Sequence, residues 1–312
     1  MSSFSFRLTN AIRSKKTPVL VGLDPRWNML PKIFTEGKKN PSPSEAAVAF
    51  ESFCRNIIDI VSPLVPIVKP QSAFFEQYGP EGMICLQKVI QYASKNGLLV
   101  LLDAKRNDIG STASAYAAGL IGSQGQSPWG ADALTVSPYL GDDSLIPFAE
   151  TARAREAGIF ILVKTSNPGG ALFQDLLIEG KPLYRRVADF VEKLAAENRE
   201  DMSEEGLDYS SIGGVVGATW PDQLTELRKV MKRTWFLVPG YGNQGGGAKD
   251  VAGAFDEAGL GAIINNSRGI LFAHQSKKYA ETFGESRWED AVEAATKDMI
   301  AALAAETPAG RL

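Results

Sequence analysis

Histidine and cysteine are nearly missing from this chain of 312 residues, which has one histidine, His274, and two cysteines, Cys54 and Cys85. A single histidine leaves no room for a Ser-His-Asp triad unless that residue serves, and it argues against a histidine-built metal site. Both cysteines fall in helical apolar patterns, which reads as core filling rather than a disulfide or a ligand pair. Long apolar runs are missing too. No stretch reaches the length of a membrane span, and the segment Met1-Ser2-Ser3-Phe4-Ser5-Phe6-Arg7 holds no apolar signal core, so the expectation is a cytoplasmic protein. An excess of one charge is also lacking. The formal net charge is −3, which gives no electrostatic reason to expect nucleic acid or an anionic membrane as partner.

What is present is apolar and regular. With 44% hydrophobic and 22% charged residues, the composition is that of a soluble globular protein with a sizeable core. Eight short apolar runs, at 18–24, 65–69, 98–103, 133–137, 159–164, 214–218, 235–238 and 262–265, show no clean polar alternation. Strands of a parallel sheet, buried on both faces, read this way. Helical patterns lie between them, at 46–61, 82–94, 144–157, 183–196 and 251–258, and a last one runs over 288–304. Eight strand–helix units with one composition regime predict a single α/β domain over 1–312, a closed (β/α)8 TIM barrel. A doubly wound open sheet is the alternative. Two segments, 26–45 and 197–211, exceed a tight connection and read as surface insertions.

In such a barrel the chemistry gathers at the carboxyl ends of the strands. In order those ends carry Asp24, Lys69, Asp103 with Lys105, Ser137, Lys164 followed by Thr165-Ser166-Asn167, and Thr219. The last two carry Pro239-Gly-Tyr-Gly-Asn-Gln244 and Asn266-Ser267-Arg268-Gly269. A glycine-rich loop and an Arg-Gly after the final two strands suit a phosphate held by backbone N–H groups and a guanidinium fork. The densest charge lies in Asp103-Ala104-Lys105-Arg106-Asn107-Asp108. On an extended chain Asp103 and Lys105 leave one face, and Asp108 falls where a helix cap would sit. Spacing alone is equally consistent with a salt bridge plus an N-cap and with a catalytic cluster.

With Lys69 at the preceding strand end, this cluster resembles that of the orotidine 5′-phosphate decarboxylases, in particular their longer bacterial form. Val21-Gly22-Leu23-Asp24-Pro25-Arg26, the stretch from Asp103 to Thr112, Val216-Gly217-Ala218-Thr219-Trp220-Pro221 and the Pro239 loop are similar to segments of that form in order and spacing. The resemblance spans about Asp24 to Gly269. It implies metal-free, cofactor-free decarboxylation of orotidine 5′-monophosphate to uridine 5′-monophosphate. It also implies roles: Lys105 protonates the ring carbon, Asp103 lies beside the departing carboxylate, and Lys69 bonds Asp103 and a ribose hydroxyl. Asp24 would bind ribose, Ser166 the pyrimidine edge, and Gln244, Arg268 and Gly269 the phosphate, with Pro239 opening a mobile loop. Asp108 and Thr112 would complete the neighbouring site of a homodimer.

Three rivals stand beside this reading. A related sugar-phosphate barrel would use a similar Asp-x-Lys-x-x-Asp with Mg²⁺ on an enediolate. A Schiff-base aldolase would use Lys164 or Lys69 as nucleophile. A phosphate-binding barrel without catalysis would not require all four charged positions.

Overall fold

The computed structural model describes residues 2–123, 125–198, 209–242 and 245–312. Eight parallel strands close on themselves: β1 Val19–Leu23, β2 Ile67–Pro70, β3 Leu99–Arg106, β4 Ala133–Val136, β5 Gly158–Lys164, β6 Ser210–Val216, β7 Thr234–Val238 and β8 Ala262–Asn266. Each pairs with its sequence neighbours, and β1 closes the ring on β8 through Val19 opposite Ile264. The chain is therefore the closed (β/α)8 barrel that eight units predict, and not the open sheet.

The missing polar alternation has a direct cause. Alternate residues of one strand enter different apolar clusters, so both faces are dry. Leu20, Ile67, Leu101, Phe160, Trp235 and Ile263 fill the barrel interior. Val19, Val21, Val68, Val100, Leu134 and Ile264 pack outward against the helices. The interior cluster is completed by α1, Phe4–Lys15, whose Phe4, Leu8 and Ile12 are fully buried in it. Gly158 makes room for this plug, since a Cβ there would come within 2.5 Å of the Phe4 ring.

Two strands depart from their expected bounds. β6 begins at Ser210, where small polar residues carry no apolar signal but the Ser210 N–H donates to Arg233 O at 2.8 Å. β3 runs past Asp103 to Arg106 through an irregularity: Leu102 faces Leu134, and the next pair is Arg106 with Val136.

Around the barrel lie α2 Pro43–Val61, α3 Gly79–Lys95, α4 Gly110–Leu120, α5 Ile146–Ala154, α6 Leu183–Glu197, α7 Pro221–Val230 and α8 Trp288–Glu306. The first of these starts ahead of the apolar pattern because Ser42 and Glu45 form a reciprocal capping box, with Pro43 in the first turn. The helix expected over 251–258 is displaced: a short helix spans Ala248–Val251, a 3-10 turn follows, and Phe255 is extended. Gly253 in that turn sits against Thr225, where a Cβ would meet Oγ1 at 2.0 Å. In the 26–45 insertion, Phe34 packs edge-on to Phe53 and Trp288 at 5.5 and 5.4 Å, so this segment is fastened to the helical shell. Most of the 197–211 segment lies outside the described residues. No described helix is long and apolar enough to cross a membrane.

Candidate active site

The carboxyl ends of the strands surround a cleft of about 500 Å³, an ordinary size for a small-molecule site. Asp103 sits at its floor. Lys69 Nζ at 2.8 Å and Gln71 Nε2 at 3.0 Å donate to its Oδ2, while Lys105 Nζ at 2.6 Å and Thr135 Oγ1 at 2.9 Å donate to its Oδ1. Burial pushes the Asp103 carboxyl up, but the Lys69 and Lys105 ammonium groups outweigh it and hold the group far below the usual carboxylate range. For Lys69 burial again opposes charge, yet Asp103 and then Asp24 raise it above its ordinary value. A buried carboxylate that accepts four hydrogen bonds, two of them from lysine side chains, is held ionised and fixed in place.

Simple strand alternation does not bring Asp103 and Lys105 together. Three residues of β3, 103 to 105, oppose Thr135 alone, and Lys105 turns into the left-handed region at φ +45°. Such a backbone is strained for any side chain but glycine and needs support from outside. The ammonium of Lys105 stays partly open to the cleft while that of Lys69 is buried. Asp24 lines the same cleft, and its Oδ1 is buried with no hydrogen-bond partner among the described residues.

Asp108 lies elsewhere. Its Oδ1 accepts from the Ile109 N–H at 2.8 Å, and α4 begins two residues on, so Asp108 is not the helix cap. Gly110, the first residue of α4, has a φ of +52°. Neither Asp108 nor the exposed Thr112 lines the cleft of its own chain.

Ser166 lines the cleft on the loop after β5. The loop is clamped: Thr219 Oγ1 donates to Ser166 O and Trp220 Nε1 to Thr165 O, both at 3.0 Å, while Gln174 bonds the Thr165 N–H and hydroxyl. Gly217 must be glycine, because a Cβ would come within 2.7 Å of Ser166 Cα. At the opposite wall stand Pro239, Tyr241 and Arg268, whereas Gln244 lies outside the described residues. Gly269 does not line the cleft, and its N–H goes to Asn266 Oδ1 at 3.1 Å.

Residues 17–283 match the family model described as Orotidine 5'-phosphate decarboxylase / HUMPS family. The chain belongs to this family. An orotidine 5'-phosphate decarboxylase of Rhodopirellula baltica is 51% identical over 96% of this chain and 98% of its own. One from Caldicellulosiruptor bescii is 37% identical over 90% and 93%. The structure of Leishmania donovani OMP decarboxylase superposes with a TM-score of 0.71 at 32% identity, over 97% of this chain and 98% of that one.

Within this member of the decarboxylase family, the other candidates drawn from the strand ends separate clearly. Lys164 is fully buried, ion-paired to Asp175 and stacked over Trp220 and Tyr184 at 4.9 and 5.2 Å, so it cannot reach a substrate as a nucleophile. Lys69 is held protonated beside Asp103, which removes the free amine a Schiff base requires. His274 is buried outside the cleft, and burial lowers its pKa. Burial also pushes the Cys54 thiol well up and the Cys85 thiol to about 12, so both are inert core groups. Gln71 and Thr135 are the site residues that strand-end reading misses. Thr135 takes the place expected for Ser137, and its one signal is a hydroxyl in an otherwise apolar strand. Gln71, directly after β2, carries none.

Proposed function

We propose that the chain decarboxylates orotidine 5′-monophosphate to uridine 5′-monophosphate and CO₂ without metal or organic cofactor, as a cytoplasmic homodimer. One observation carries this reading: Asp103 is locked between Lys69 and Lys105 at the floor of a cleft whose opposite wall holds Arg268. Loss of CO₂ leaves a ring carbanion that the pyrimidine delocalises poorly. A preorganised cation where that charge develops is the largest available help. Lys105 supplies the cation and then the proton, and Asp103 orients it beside the departing carboxylate. Lys69 and Asp24, which both line the cleft, take the ribose hydroxyls. Ser166 reads the ring edge. Arg268 holds the phosphate beside the loop that Pro239 opens, and this remote binding assembles the site; Gly269, expected beside it, has its N–H committed to Asn266 Oδ1.

Asp108 and Thr112 reach the neighbouring subunit's cleft. Their position outside their own cleft supports this, as do the exposed apolar side chains of Ile109, Tyr116, Tyr139, Leu140 and Ile146 on the same and adjoining elements. Apolar groups gathered in this way mark a contact surface.

Two measurements test the reading. Orotidylate absorbance is expected to fall at an undiminished rate in EDTA; no change overturns the reading, and turnover restored only by Mg²⁺ turns it to the metal-dependent rival. Lys105→Ala is expected to abolish turnover while phosphate-dependent binding of uridine 5′-monophosphate persists. Near-normal turnover in that variant removes the lysine from its role.

A further inference from the structure

Nothing in the reaction so far uses β4, yet β4 supplies the only hydroxyl that touches both members of the Asp103–Lys105 pair among the described residues. Thr135 is 1% exposed. Its Oγ1 accepts from the Lys105 backbone N–H at 2.9 Å and donates to Asp103 Oδ1 at 2.9 Å. That oxygen is the one Lys105 Nζ reaches at 2.6 Å. One hydroxyl thus closes a ring from the Lys105 main chain, through the carboxylate, to the Lys105 ammonium. The ring sits where help is needed: opposite the three-residue bulge of β3, with Lys105 in the left-handed region. In a bulge the ladder no longer offers an acceptor to every N–H, and a buried N–H without one is costly. Thr135 is itself fixed from the far side by pairing with Phe160 of β5.

We propose that Thr135 is a positioning residue, whose hydroxyl holds the strained Lys105 backbone and the Asp103 carboxylate in one geometry and so sets where the Lys105 ammonium stands. It acts through Lys105 and makes no chemical step of its own. The kinetic part of the test rests on the decarboxylase reading above.

A pair of substitutions separates hydroxyl from methyl. Thr135→Val keeps the branched shape and removes the hydroxyl, whereas Thr135→Ser keeps the hydroxyl and removes the methyl. Misplacement of a catalytic group by about 1 Å costs on the order of 10²-fold in rate. Thr135→Val is therefore expected to lower kcat by about that factor with KM for orotidylate within about twofold. Thr135→Ser is expected to stay near wild type. Amide hydrogen exchange at Lys105 gives a second readout that needs no turnover: it is expected to quicken in Thr135→Val and to remain protected in Thr135→Ser. Equal kcat in Thr135→Val and wild type, or a serine variant as impaired as the valine one, overturns the proposal. Should Thr135→Val fail to fold, Thr135→Ala and Thr135→Ser carry the same comparison. Should the wild type leave orotidylate unchanged, the decarboxylase reading fails, and the Lys105 exchange comparison still decides the proposal.

Discussion

Asp103 is the residue on which the site's electrostatics turn, and its ionisation links stability to pH in a definite direction. Its pKa lies far below the unfolded value, so the stability it adds is full above about pH 4 and is lost as pH falls through the folded value. Lys69 is raised, so its share is full below about pH 10 and is lost as pH climbs through its folded pKa. Asp103→Asn leaves Lys69 buried beside no anion but Asp24, a loss worth about 3–5 kcal/mol for a broken buried pair. The stability gap between wild type and Asp103→Asn is thus expected to be widest from about pH 4 to pH 10 and to narrow on both sides. Urea unfolding across that range measures it; a gap independent of pH would mean that the pair does not stabilise the fold through charge. Lys69, Asp103 and Lys105 are legible in the sequence because charges at the ends of apolar strands must pair or do chemistry. Gln71 and Thr135 are not, because their value depends on a bulge that no spacing rule reports.

At the scale of elements, the barrel strands are legible because double burial writes continuous apolar runs. The plug α1 is written more faintly. Phe4, Leu8 and Ile12 stand four apart, but whether such a stripe covers the outside of a barrel or enters its end depends on closure. Here it enters, against Leu20, Phe160 and Trp235, and Trp235 Nε1 donates to Ser5 Oγ at 2.8 Å. Phe4 is fully buried, with its ring edge-on to Phe160 at 6.1 Å. Phe4→Ala is expected to cost about 3–5 kcal/mol of stability through the cavity it leaves. Since the plug lies at the amino end of the strands and the cleft at the carboxyl end, turnover per folded molecule is expected to be unchanged. Denaturant melts and active-site-normalised rates read the two quantities, and a parallel fall in turnover would show that the plug reaches the site. The helix displaced to Ala248–Val251 marks the limit of periodicity, since the close approach of Gly253 to Thr225 is a tertiary fact.

At the scale of the molecule, counting eight units is enough to predict closure, and closure alone puts Lys69, Asp103, Ser166 and Arg268 around one cleft. Association of two chains is a different matter. A side chain that serves a neighbour would look idle in its own chain, and among the described residues the Asp108 carboxylate accepts from the Ile109 N–H outside the cleft. The proposed division of the Asp103–Asp108 motif between two clefts has a countable consequence. In a heterodimer of Lys105→Ala with Asp108→Asn, one cleft carries both defects, and the other unites an intact Lys105 with the partner's intact Asp108. Equal amounts of the two variants, exchanged at random, place half of the dimers in this mixed form. Activity is therefore expected to rise from near zero to about a quarter of the wild-type value per cleft on mixing. If Asp108 served its own chain, every cleft in the mixture would keep one defect and mixing would restore nothing.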